Sequence, residues 1–340
     1  MFEENYINTE QNDAAQYNFN KEAVLLRLEK SEIRKVANRT SLSMILLFAV
    51  TLLLGVSYGL IAIIMGVSKE KIIDIINDPA AMQVLQIVIS TIMFTIPVVI
   101  VAKLSGYKMS ELVPLNKTEK KHSFSLFFFG IAFCAFANVA VSFASSIFEG
   151  AGVEYSVDYG ENPQGIFGFL LVMLSTVAVP ALVEEFAFRG VIMGMLKKFG
   201  DGFAIIVSSA IFGLIHGNFE QMPFAFLVGL VLGFVRIKSN SIWICCAIHA
   251  FNNFISVFFE YAFTSLEVQT QNIIYMCILV ICLLLGLCGV FILSGDTEIF
   301  KVERAEMCCT TKQKYRWFFT SPATIVLIVI YILQAITYFF

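Results

Sequence analysis

The chain has 340 residues, 58% of them hydrophobic and only 14% charged, with 34 Phe and a net charge of −3; its mean hydropathy is +0.80. A soluble domain carries about 25% charged residues, so a soluble fold is excluded. The apolar runs are mostly near 20 residues and lack period-two alternation, which excludes a transmembrane β-barrel and predicts an all-α, polytopic transmembrane helical bundle. No basic cluster beyond the loops points to nucleic acid.

Residues 1–40 are polar with both charge signs. Their composition predicts disorder over 1–20 and an interfacial helix over 21–39, where Leu25, Leu26, Leu28 and Ile33 lie. Together they read as a cytosolic tail. The first apolar run starts too late and is too long for a secretory signal.

Nine apolar segments follow, at about 43–65, 82–102, 123–148, 165–196, 203–219, 222–235, 241–260, 272–294 and 322–340. The fourth is long for one span, and Pro180 predicts a kink in it. The sixth is short; its Gly229 and Gly233 have the spacing that lets helices approach closely.

Lys and Arg alternate among the connections. They are dense at 27–39, 103–121, 197–198, 236–238 and 295–321, reduced to Lys69 and Lys71 after the first apolar run, and absent from 149–164, 218–222 and 261–271. The loop 149–164 instead carries Glu149, Glu154, Asp158 and Glu161. The positive-inside rule then puts the N-terminus in the cytosol and, with nine spans, the C-terminus outside. The expected organisation is a polar tail (1–40), a membrane bundle (41–295) with a motif core at 165–260, a cytosolic loop (296–321) and a last span (322–340).

The eight cysteines lack metal-site spacing with His and read as reduced. Six lie in apolar runs, and Cys308 and Cys309 lie in a charged loop.

Three apolar segments carry groups that lipid would reject. Glu184, Glu185 and Arg189 lie in the fourth segment, Phe212 and His216 in the fifth, His249 and Asn253 in the seventh. An ionisable group at a helix centre costs roughly 2.5–3.5 kcal/mol on insertion scales, so these faces are expected to turn towards one another. Glu185 and Arg189, four apart, share a face and can pair. Glu184 is rotated by about 100° and has no cation at helical spacing in its own segment. Phe212 with His216, and His249 with Asn253, also share faces at i, i+4. Such a set can do general acid–base chemistry on water. A Glu and two His could equally hold Zn²⁺, and the spacing leaves metal and direct activation both open. Polar side chains can also act only as packing glue. Five or six such residues on three neighbouring segments favour a site.

Together Glu184-Glu185-x-x-x-Arg189, Phe212-x-x-x-His216 and His249-x-x-x-Asn253 resemble the motifs of the CAAX protease and bacteriocin-processing (CPBP, or Abi) family of intramembrane proteases, which includes the Ras-converting CAAX endopeptidases. The resemblance implies an endopeptidase in an eight-helix core with one added C-terminal span, and a cavity open to the membrane and cytosol. Carried over, Glu184 with His216 activates water, His249 and Asn253 stabilise the oxyanion, and Glu185, Arg189 and Phe212 support the site. If a metal such as Zn²⁺ is used, Glu184, His216 and His249 are its ligands. The expected partners are a peptide or membrane-protein substrate, lipidated or not, and the bilayer of a bacterial plasma membrane. A proton- or ion-coupled transporter and a non-catalytic bacteriocin-immunity or scaffold protein are the competing readings.

Overall fold

The computed structural model describes residues 2–64, 66–117, 120–150 and 160–339. Glu154 and Asp158 of the acidic loop lie outside them. Among the described residues the chain is helical, with no strand and one isolated antiparallel bridge between Leu115 and Ser241.

The helices are α1 (Phe2–Ile64), α2 (Lys69–Asn77), α3 (Pro79–Leu104), α4 (Lys120–Gly150), α5 (Gly165–Phe199), α6 (Asp201–Leu214), α7 (Gln221–Ser239), α8 (Trp243–Phe263), α9 (Val268–Leu293), α10 (Thr311–Phe319) and α11 (Pro322–Ile336). Among the described residues seven are long and apolar enough to cross a membrane, or eight if the α10–α11 pair, bent by 66°, counts as one span. The chain is an integral membrane protein of all-α bundle architecture.

With the α10–α11 pair counted as a span, the shortfall from nine lies in the fifth apolar segment; without it, α11, at 15 residues, is short as well. Gly200, at φ +107°, opens α6, and Gly217, at φ +63°, closes the turn after it. The 14 residues of α6 span about 21 Å at 1.5 Å each, short of a hydrocarbon core about 30 Å thick. Most α6 side chains are buried among other helices, so this helix meets protein rather than lipid. Its partner α7, built on the shortest apolar run, has full length. Gly229 and Gly233 press against Ser209 and Ile205 of α6, where an added Cβ would come within 2.9 and 3.2 Å of side-chain atoms.

The tail also differs from expectation. Helix α1 continues unbroken through residue 40, because neither Gly nor Pro interrupts the chain before Gly55. Ile33, Val36, Ala37, Met44 and Leu47 recur on one face and are buried in the main core. The boundary drawn at residue 40 therefore falls inside a packed helix. Nor is 296–321 a plain loop. It contains α10, started by a Thr310–Gln313 capping box, whose Phe318 is fully buried.

Apart from α2, which carries Lys69 and Lys71, the Lys- and Arg-bearing connections gather at one end of the bundle. Lys198 meets Glu32 at 3.2 Å. The Glu29 carboxylate accepts the amides of Cys308 and Cys309, both at 2.8 Å, and Lys314 donates to Phe199 O at 2.9 Å. At the other end Gln83 donates to Asn162 (3.2 Å) and Asn162 to Glu260 (2.7 Å). One end is basic and the other acidic, as the charge alternation requires. Helix α11 starts at the basic end, where Thr324 meets Ser41. It runs along α1 until Gln334 abuts Gly217.

Candidate active site

The site is built on a distorted stretch of α5. Two π-helical turns, Met173–Ala178 and Phe186–Ile192, flank a short α-helical piece, Val179–Glu185. Single π turns of this kind recur at functional sites. Pro180 has no N–H, so the carbonyl of Thr176, four residues back, loses its helical donor. Asn253 Nδ2 on α8 donates to that carbonyl at 2.9 Å. The kink expected at Pro180 is thus a disrupted ladder repaired from another helix.

Glu185 is fully buried. Its Oε1 accepts from Arg189 Nη1 at 3.0 Å and from His249 Nδ1 at 2.9 Å. The pair expected from i, i+4 spacing is present, but it is a triad: Glu185 also orients the α8 imidazole. The Arg189 guanidinium lies 4.4 Å from the Phe212 ring centroid, a cation–π contact strengthened by desolvation. The same ring meets His216 edge-on at 5.0 Å. His216 Nδ1 donates to Phe212 O at 2.8 Å, which leaves Nε2 for the cavity.

Glu184, as its rotation around the helix required, points away from this pair. It lines a cavity of about 340 Å³ together with Pro180, His216, His249 and Asn253. The imidazole that approaches it is His249, with Nε2 at 4.0 Å from Glu184 Oε2. The resemblance had implied His216 as the partner of Glu184. Four ångströms is too long for a direct hydrogen bond and suits a water bonded to both groups. All seven residues singled out in the sequence meet around this cavity or directly behind it.

Among the described residues no three His, Cys, Asp or Glu side chains converge as a group that could hold a metal ion. The Nδ1 of His249 is held by Glu185 and that of His216 by a carbonyl. Both Nε2 atoms are left on the side of the cavity that Glu184 also lines.

Several site residues escaped the sequence reading. Gln86 on α3 and Asn252 on α8 also line the cavity. Asn252 donates to Asn253 Oδ1 at 3.2 Å, and Asn138 of α4 donates to Asn252 at 3.5 Å. This chain fixes which way the Asn253 carboxamide faces. Arg236, counted only as a loop cation, is buried and donates to Arg189 O at 3.0 Å and Leu112 O at 3.4 Å. The amides were detectable as polar residues in apolar runs. Nothing in the sequence separated Arg236 from its neighbour Lys238.

Residues 166–255 match the family described as Type II CAAX prenyl endopeptidase Rce1-like. The chain carries an Rce1-like segment. That segment contains every residue of the constellation, from Glu184 to Asn253. The chain is also 28% identical over 116 residues to the Bacillus subtilis (strain 168) protein named "Putative membrane peptidase YdiL", covering 30% of this chain and 47% of that protein. It therefore spans about half the length of that relative. No solved structure matches the chain significantly.

Proposed function

We propose that this protein is an intramembrane endopeptidase that hydrolyses a peptide bond of a membrane-associated or lipidated peptide or protein, using water activated by Glu184. The observation that carries this reading is the split between two adjacent carboxylates. Glu185 is neutralised by Arg189 and spent on orienting His249, whereas Glu184 faces the cavity with an imidazole 4.0 Å away. Two neighbouring groups in contrasting environments are the usual arrangement for dividing acid–base roles. The Rce1-like match over 166–255 supports the same reaction class.

In this mechanism Glu184 removes a proton from a water held between it and His249 Nε2. The hydroxide attacks the scissile carbonyl carbon and gives a tetrahedral oxyanion. A donor on the cavity wall faces that charge; the second N–H of Asn253 is the candidate. Glu184 then returns the proton to the departing amine as the C–N bond breaks. Glu185 holds the tautomer and orientation of His249 and does not touch the reacting atoms. No step is routed through a metal.

The test is cleavage of a peptide library by purified protein, with Glu184→Gln as the control. Cleavage by wild type and loss in the variant support the proposal. Equal cleavage by the two rejects Glu184 as the base, and cleavage by neither favours a non-catalytic binding role for the bundle.

A further inference from the structure

The last helix, α11, carries a single carboxamide, Gln334. Thr324, Leu327, Tyr331 and Ala335 form its buried face, and Gln334, three residues after Tyr331, lies on the same stripe. The stripe is fixed against α1 at several levels. Ser41 and Thr324 share a hydrogen bond at 2.8 Å, and Asn38 Oδ1 accepts the amide of Ala323 at 3.1 Å. The Phe48 and Tyr331 rings meet edge-on at 5.7 Å. About 18 Å along the helix from Pro322, this braced face ends on Gln334.

Gln334 meets the turn that carries His216. There Gly217 N donates to Leu214 O at 3.1 Å, and Gly217 takes φ +63°. Buried Asn218 holds the turn from within: its Oδ1 accepts Gln221 N at 2.7 Å, and its Nδ2 donates to His216 O at 3.4 Å. The carboxamide of Gln334 lies on the glycine itself. A Cβ at Gly217 would come within 2.7 Å of Gln334 Cδ, 2.8 Å of Nε2 and 2.9 Å of Oε1. Polar side chains in membrane helices commonly fasten neighbours by hydrogen bonds. Gln334 Oε1 is buried and has no such partner, so its contribution is the surface it lays on Gly217.

We infer that Gln334 is a positioning residue for His216: α11 seats this carboxamide on Gly217 and so fixes the turn that sets the His216 imidazole in the cavity around Glu184. The bond from His216 Nδ1 to Phe212 O orients the ring against its own helix. Gln334 supplies a second constraint, on the backbone of the turn. It does so from outside residues 166–255, the segment that matches the Rce1-like family, which makes α11 part of the site. The effect on rate rests on the protease reading above; the placement of His216 does not.

The chain has three histidines, so histidine isotope-labelled at Cε1 gives one NMR signal for each in the detergent-solubilised protein, assigned by replacing each His with Asn in turn. Gln334→Ala should shift or split the His216 signal and leave those of His122 and His249 in place, at a thermal midpoint close to that of wild type. Leu327→Ala truncates a fully buried side chain on the same face of α11 and should do the reverse, lowering the midpoint without moving His216. In the cleavage assay Gln334→Ala should lower kcat by up to about 10²-fold, the scale of a roughly 1 Å misplacement, and leave KM unchanged. A wild-type protein that cleaves nothing counts against the protease reading, and the NMR result still decides the placement of His216. An unmoved His216 signal in Gln334→Ala, three signals that move together, or an equal shift of His216 by Leu327→Ala would overturn the inference. So would full kcat in Gln334→Ala beside an active wild type.

Discussion

The carboxamide of Asn253 donates at 2.9 Å to the carbonyl of Thr176, the acceptor that Pro180 leaves without its helical partner. A helix-breaking residue in α5 and an amide on α8 are therefore one device, which ties the two elements carrying Glu184 and His249. Removing the amide strands a carbonyl, at a cost of about 1–3 kcal/mol. Asn253→Ala should accordingly lower the thermal midpoint of the purified protein. Pro180→Ala restores the backbone donor, so the double variant should recover stability at least partly. Activity should stay low in the double variant, because the second Asn253 N–H is still missing. If Pro180→Ala recovers nothing, the repair of the broken ladder is not what Asn253 contributes.

Arg189 should be needed for folding before it is needed for turnover. It and Glu185 have relative exposures of 1% and 0%, and stranding one partner of a buried pair costs about 3–5 kcal/mol. Arg189→Ala should lose yield or stability on that scale. The charge swap, Glu185→Arg with Arg189→Glu, should not rescue it. His249 Nδ1 lies 2.9 Å from Glu185 Oε1, and the swap would set a cation against that N–H. Recovery of full stability by the swap, read by thermal unfolding in detergent, would show that His249 does not depend on Glu185.

Cys308 and Cys309 should differ sharply in reactivity. Cys308 is exposed. Burial, then the Glu29 carboxylate beside it, pushes the Cys309 thiol up to about 11. Only the thiolate reacts, so a raised value means little reactive species at neutral pH. Maleimide labelling of Cys309 should rise roughly tenfold per pH unit until pH approaches 11, while the exposed Cys308 labels readily. Both should label in inverted vesicles and remain protected in intact cells. Peptide mapping after labelling resolves the two sites, and labelling from outside would reverse the orientation.

How far the sequence carried the account depended on whether a residue's role was local or contributed by another helix. The paired Glu185 and Arg189 were legible because i, i+4 geometry is a property of one helix. The meeting of α5, α6 and α8 was legible because lipid penalises each polar face separately. The choice of His249 over His216 as the neighbour of Glu184 was not legible, since it depends on how far α8 slides against α5. The length of α6 was hidden for a related reason. Hydropathy cannot distinguish a helix buried in protein from one facing lipid, and Gly200 and Gly217 cut this one short. Residues 21–39 were read as an interfacial element because they are polar overall, although Ile33, Val36 and Ala37 mark a buried stripe.

The account turns on Glu184 as the base that activates water, and the most direct measurement is the cleavage rate of purified Glu184→Gln beside wild type, with the folded state of each checked by thermal unfolding. Gln keeps the size and a hydrogen-bonding tip but cannot take the proton. The variant should unfold at the wild-type temperature and lose roughly 10²–10⁴ in rate, the usual worth of general acid–base catalysis. Chelation should leave wild-type activity in place. A folded Glu184→Gln protein that cleaves at near the wild-type rate, or a wild-type protein whose activity vanishes on chelation and returns with Zn²⁺, would contradict it.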